Sequence, residues 1–487
     1  MITAKQVSIT NSGSWVATPL VFLSLGLGLG VITALFIAYD LAFLLFLALG
    51  GLLVALAMFM RLDWGLLFLI FMVYTRFSDA LVHHYSLPSV LQPFMLLLLL
   101  IMVSRRWLHG EMPQGWQGPA LLFGLYTFFT FASFLYAANF EASTGAFTTY
   151  LKDATIALLV VFLLQRSRPL RPVVWTLLLA GAFMGTITVL QQWTGTFDNN
   201  YSGFGLTEFK HIVGETSDYR VAGPVGDPNF YGQILVVLLP LALNRVWYEK
   251  SHLLRGLAAW TFAVCLLSII YTFSRGAFVA TAVVLGLMMT RRPPSPFLAL
   301  LVLAAALPLV RYVPDDYVER IRTIPDALLG FSGSRSEEAS LRGRTSEVTV
   351  GWLMFADHPV QGVGLENYPT YYQEYSRSLG MDQRRTERRP HNLYLQIASE
   401  LGVLGLMAFG AILWGVMRGL RQAYQGLLKL DRPDQASLVF AFGVALVGYL
   451  VAALFLHAAF ARYLWLLVGI GFGIGQVVKV ELQSLQQ

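Results

Sequence analysis

Charge is scarce in this sequence. Of 487 residues, Asp, Glu, Lys and Arg together make up 13%, about half the ~25% that clothes an ordinary soluble domain. That shortage excludes a water-soluble globular surface, and a mean hydropathy of +0.61 agrees. Cysteine is nearly missing as well: Cys265 stands alone, inside an apolar run, so no disulfide framework exists and the redox compartment is left open. There is no nucleotide-binding glycine loop and no Pro-rich or Gly/Ser-rich linker. No internal repeat is convincing, which weakens a transporter built from repeated halves. The net charge of +6 is small and scattered, so no nucleic acid is expected as a partner. A metal constellation is also lacking: Asp315-Asp316 is isolated, and His83-His84 has no acidic partner close by in the sequence. No cleavable leader is expected, because the first apolar run follows a polar stretch bearing only Lys5 and leads directly into another run.

What the chain has in abundance is apolar runs of about twenty residues, the length that a ~30 Å hydrocarbon core requires. The runs predict an all-α polytopic membrane protein of about fourteen (12–14) spans in a single membrane domain over 1–487, with membrane lipids around it. The expected helices are 16–38, 41–60, 64–82, 88–104, 119–137, 150–165, 172–192, 229–247, 253–272, 276–290, 296–312, 393–417, 437–458 and 462–480. Basic residues collect in alternate connections: Arg105 and Arg106; Arg166, Arg168 and Arg171; Arg245, Lys250 and Arg255; Arg291 and Arg292; Arg418, Arg421, Lys429 and Arg432. By the positive-inside rule those connections are cytoplasmic, which puts both termini inside and leaves two long segments, 193–228 and 313–392, on the extracytoplasmic side. The second should carry short amphipathic helices, one of them over 345–357 on the membrane surface. It is rich in arginine, from Arg320 to Arg389. A basic external loop needs an anionic partner, either lipid headgroups or the phosphates of a lipid-linked substrate.

Four polar constellations fall on that outer face. In the run from Arg220 to Gly232, Asp227 suits a helix N-cap and Pro228 the first helical position, so the eighth span starts there. Amide N–H groups at a helix start, with Arg220 just upstream, favour an anion; a capped helix beneath an ordinary loop is the plainer reading. The short turn Thr272-Phe273-Ser274-Arg275-Gly276 fixes Arg275 at the membrane boundary. There it either grips two phosphate oxygens or snorkels to headgroups. Asp357 to Tyr368, preceded by Arg342-Gly343-Arg344, reads as a structured loop with turns forced by Pro and Gly. Last, Asn392, Gln396, Ser399 and Glu400 form one polar stripe on the twelfth helix, with His391 at its mouth. A neutral imidazole there can accept a proton, whereas the stripe by itself also suits helix packing. His457 and Arg462, in the last external turn, are placed to join this group.

Taken in order, Arg-x-x-Gly-Pro-x-Gly-Asp-Pro-Asn at 220–229, Ser-Arg-Gly at 274–276, His-Pro-x-x-Gly-Val-Gly at 358–364 and His-Asn-x-Tyr-Leu-Gln-x-x-x-Glu-x-Gly at 391–402 resemble the O-antigen ligase and O-antigen polymerase superfamily of bacterial membrane glycosyltransferases. The resemblance is best over 180–420. It implies transfer of a glycan from an undecaprenyl-diphosphate carrier to a sugar hydroxyl in cell-envelope polysaccharide or lipopolysaccharide synthesis. The reaction would be inverting, need no metal or cofactor, and run at the outer face of the bacterial inner membrane. Arg220 and Arg275 match the family's diphosphate-binding arginines, His391 its essential loop histidine and Arg344 another basic loop position. Glu400 would orient the helix or the donor, supported by Asp227, Asn229, Asn392, Gln396 and Arg462. The acceptor stays open between a glycan, a lipid-linked glycan and a protein side chain. A non-enzymatic carrier of lipid-linked glycan and a non-catalytic assembly or scaffold protein are the other two classes.

Overall fold

The computed structural model describes residues 58–110, 115–167, 170–211, 217–293, 335–380, 388–458 and 461–484. The chain divides into two units at Leu62/Asp63, and the architecture below belongs to the second. The expected spans 16–38 and 296–312, and all of 41–60 except its last three residues, lie outside the described residues, as does Asp315-Asp316.

The remaining apolar runs are all helical. In chain order they are α1 (Leu62–Tyr74), α2 (Phe77–Tyr85), α3 (Leu91–His109), α4 (Gln117–Ala132), α5 (Phe140–Ser167), α6 (Leu170–Thr194), α7 (Pro228–Tyr248), α8 (His252–Tyr271) and α9 (Arg275–Met289). After them come α10 (Arg335–Asp357), α11 (Tyr368–Ser378), α12 (Leu393–Lys429), α13 (Pro433–Ala452) and α14 (Ala461–Ser484). Among the described residues nine helices are long and apolar enough to cross a membrane, and α1 with α2 makes a tenth if counted as one bent span. The chain is a polytopic α-helical membrane protein.

Three expectations are corrected. The span at 64–82 is not straight: α1 and α2 meet at 55°. Arg76 takes a left-handed φ of 53° there, and its side chain bonds Asp79 in the next turn at 2.7 Å. The 193–228 connection is not all irregular, since β1 (Leu206–His211) and β2 (Ser217–Gly223) pair antiparallel in it. Thirdly, the helix expected over 345–357 is longer and packs on protein. Its Val350 and Met354 sit in a buried cluster with Val363, Tyr368 and Tyr372, and Gly351 lies against Leu395 of α12.

α7 is buried along nearly its whole length, packed between α8, α9 and α13, while α14 packs on α5 and α12. One end of this bundle gathers the basic connections. Buried Glu249, after α7, meets Arg171 at 2.6 Å and Arg245 at 3.8 Å, and Arg255 donates twice to its backbone carbonyl. Arg291 reaches Tyr424 Oη at 2.9 Å and lies over the Phe440 ring. Helix ends from α6, α7, α8, α9, α12 and α13 thus meet at one pole, as alternate basic loops require.

Candidate functional site

At the opposite pole the β-hairpin delivers Arg220. Its place in β2 is directly across from Glu208, and Nη1 reaches that carboxylate at 3.4 Å. Nε donates to the Thr272 carbonyl at 2.9 Å and Nη2 to Asn229 Oδ1 at 3.2 Å. Burial raises the Glu208 pKa, with Arg220 opposing. Asp227 caps α7 as its sequence position requires, accepting from the Asn229 amide at 2.7 Å and the Phe230 amide at 3.2 Å, with Pro228 next. Two helix-start amides are therefore occupied by the cap. Ser274 caps α9, so Arg275 is that helix's first residue, three positions after the carbonyl that Arg220 grips. A Cβ added to Gly232 would come within 2.7 Å of Ala277; the starts of α7 and α9 touch. Arg220, Asp227, Asn229 and Arg275 occupy one corner.

His391 occupies a second group. Its Nδ1 lies 2.6 Å from Oε2 of Glu347 on α10, whose other oxygen takes Arg388 at 2.8 Å. Glu347 is 3% exposed and His391 37%. A buried carboxylate on Nδ1 fixes the tautomer and leaves Nε2 as the free nitrogen of the ring. The His391 ring stands edge-on to His457 at 5.7 Å, and His457 edge-on to Phe230 at 5.2 Å. Phe230 follows Asn229, so two ring contacts join the histidine group to the Arg220 corner. Burial, the facing His391 and Arg389 together push the His457 pKa down to about 3; this imidazole is neutral.

The two loop motifs of 358–364 and 391–402 form one structure. Gly402, at φ 65° and ψ −165°, breaks α12. The amides of Val403 and Leu404 turn to the carbonyls of Pro359 and Val360, while the Ser399 and Glu400 carbonyls accept from Val363 and Gly364. The loop thereby completes the helix's interrupted ladder. Gly362 presses on the Glu400 backbone, where an added Cβ would lie 2.3 Å from the carbonyl carbon, and Gly402 presses equally on Val360. Glu400 is buried; its oxygens take Gln396 Nε2 at 3.2 Å and the Glu366 amide at 3.0 Å. It orients loop and helix. Asn392 caps α12, accepting from Leu395, and Gln396 Oε1 holds the Ala458 amide at 2.8 Å, beside His457.

Arg462 takes carboxylate partners. It binds Asp153 of α5 at 3.1 Å and approaches Asp79 of α2 at 3.8 Å, while Arg76 bonds the Val225 carbonyl of the Gly-Pro-x-Gly turn. Arg344 lies within α10, but its side chain is outside the described residues. A cavity of about 460 Å³ opens beside the histidine group, lined by residues that include Gln396, Glu400, Asp153 and Arg389. Arg220, Arg275 and His391 are not among its lining residues.

Sequence reasoning missed Glu347. Its signal was the stripe Ser346, Glu347, Val350 and Met354, which helical spacing sets on one side of α10 and which is buried; read as membrane-facing, it hid a carboxylate. Among the described residues, no group of three or more His, Cys, Asp and Glu could hold a metal ion.

Comparison with known families adds one match: the family model described as O-Antigen ligase covers residues 260–410. It takes in Arg275, Glu347, the 358–364 loop, His391 and Glu400, and leaves out Arg220 and Arg462. No curated protein matches the chain.

Proposed function

We propose, from the premise that this chain belongs to the O-antigen ligase/polymerase superfamily, that it transfers a glycan from a lipid-diphosphate carrier of the undecaprenyl type to a sugar hydroxyl. The reaction runs at the extracytoplasmic face of the bacterial inner membrane, with both termini in the cytoplasm. The observation that carries this reading is His391, held through Nδ1 by buried Glu347 at 2.6 Å and joined through His457 and Phe230 to the corner that holds Arg220 and Arg275.

Nε2 of His391 takes the proton of the acceptor hydroxyl. The freed electron pair forms a bond to the anomeric carbon as that carbon's bond to the diphosphate oxygen breaks. The diphosphate leaves with the bonding pair, on the side of Arg220 and Arg275, where guanidinium groups oppose the growing negative charge. The imidazolium then loses its proton to water. Attack opposite the leaving group inverts the anomeric centre. Glu347 holds the ring through Nδ1 and presents Nε2, and the low pKa of His457 keeps the ring facing it neutral. The other end of the bundle, with its arginines tied around Glu249, supports the orientation.

The test is transfer by the purified full-length protein from a synthetic lipid-diphosphate oligosaccharide to a saccharide acceptor. His391→Ala should lower turnover by about 10²–10⁴-fold, and Arg275→Ala by about 10²-fold. Full activity in both variants sinks the proposal, as does transfer without inversion.

A further inference from the structure

The cavity of about 460 Å³ is of the size that small-molecule sites occupy, ~300–1,000 Å³, and the transfer step above does not use it. It lies between α4, α5, α12 and α14, closed on one side by the loop after Gly364. Arg389 and Leu393, on either side of His391 in the chain, line it, as does Ala458, next to His457. It therefore begins beside the proposed base, away from the Arg220 corner.

Its walls have a definite chemistry. Three carboxylates line it, Asp153, Glu366 and Glu400. Glu366 is ion-paired with lining Arg389 and Asp153 with Arg462 of α14, while Glu400 takes the Gln396 side chain and the Glu366 amide, so the carboxylates exceed the cations by one. Further polar groups come from Asn139, Thr149 and Thr370, and aromatic rings from Tyr126, Tyr150 and Trp465. These rings pack on one another at 5.3–5.6 Å, which makes a rigid apolar wall. On α5 the lining residues Ala142, Gly145 and Ala146 are small, and a Cβ added to Gly145 would meet nothing within 4 Å. The space is kept open by the sequence.

Acidic acceptors of hydrogen bonds beside aromatic faces suit hydroxyl donors with apolar ring faces. They repel phosphates and carboxylates, which the arginine corner attracts. We infer that this cavity is the acceptor-sugar site, and that it takes an uncharged or amino-bearing sugar and discriminates against phosphorylated or uronic-acid acceptors. The inference rests on the glycosyl-transfer reading. It adds where the nucleophilic sugar sits and what charge it carries.

Two measurements test it on the full-length protein in detergent. Gly145→Leu and Ala146→Leu fill the cavity from α5 without touching His391, Arg220 or Arg275. Each should raise KM for a neutral oligosaccharide acceptor at least about tenfold while KM for the lipid-diphosphate donor stays unchanged. In the unaltered protein, a uronic-acid or phosphorylated acceptor of equal length should show kcat/KM about tenfold or more below the neutral one. A filling variant that keeps its melting midpoint and the original acceptor KM overturns the inference; so does equal use of neutral and anionic acceptors. Should both variants fail to fold, the acceptor comparison decides alone. If no transfer occurs at all, the glycosyl-transfer reading fails, and direct binding of the free neutral and anionic oligosaccharides to the unaltered protein still judges the cavity. Tighter binding of the neutral one upholds the charge preference, and equal or weaker binding rejects it.

Discussion

At each pole of this bundle a buried glutamate is ion-paired with cations, Glu249 at one and Glu347 at the other, and the two arrangements differ in what they leave over. Around Glu249 the partners are Arg171, Arg245 and the backbone bond from Arg255; every group there ties one helix end to another. Around Glu347 the partners are Arg388 and His391, and the second is a titratable ring with a further nitrogen and 37% exposure. A carboxylate surrounded by guanidinium groups makes a fastening, because arginine stays charged at any accessible pH. Facing an imidazole, the same carboxylate orients a ring and leaves its other nitrogen available. The difference lies in the partner and not in the burial, since both glutamates are 3% exposed.

The largest expected effect breaks this comparison most directly. Glu347→Gln should lower turnover on the order of 10²-fold, because the ring loses the carboxylate that holds its Nδ1 and fixes its orientation. Glu249→Gln should leave turnover per folded molecule as it was and cost about 3 kcal/mol of stability, since Arg245 is left buried without its ion pair. Transfer rates and melting midpoints on both variants separate the two roles; a rate loss of equal size in both would erase the distinction. Next in size, Gly402→Ala should cost about 2 kcal/mol, because φ 65° with ψ −165° is a region open almost only to glycine and the new Cβ meets the Val360 backbone. A lowered melting midpoint, with turnover lost in parallel, is the expected readout.

The last effect is a pH dependence. His457 is held at a pKa of about 3, below the ~6.5 of an exposed histidine. The unfolded chain therefore takes up a proton that the folded one refuses, and stability falls as pH drops from about 6.5 towards 3, by at most about 1.4 kcal/mol per pH unit. His391, Glu347, Glu366 and Arg389 surround the same region, so the comparison is between the unaltered protein and His457→Phe. The variant should lose less melting temperature between about pH 7.5 and 4.5; identical slopes would place the acid sensitivity elsewhere.

Much of the scaffold was legible because membrane helices are written in long apolar runs and their ends in local chemistry. Asp227 and Pro228 announced the start of α7 within three residues, and alternate arginines announced which helix ends share a pole. The bend at Arg76 was not legible, because no proline marks it and left-handed backbone at an arginine has no sequence signal. Nor was the pairing of His391 with Glu347, 44 residues apart, since only the packing of α10 on α12 brings them together. The arginines of the corner could be named from their motifs, but the cavity could not. Its lining comes from four helices and a loop, and no single stretch of chain holds its pattern.

The splice at Gly402 has a consequence for how the protein is made. The strip 359–364 leaves the ribosome before residues 399–404, where the amides of Val363 and Gly364 and the carbonyls of Pro359 and Val360 find their partners. Until that half of α12 has threaded into the bilayer, the loop can dock only on the earlier residues Ser133, Tyr136, Asn139 and Ser143, and its splice to α12 stays open. Assembly of this pole is consequently a late event in biosynthesis, and a nascent chain halted ahead of Leu404 would already own its arginine corner but lack a closed base.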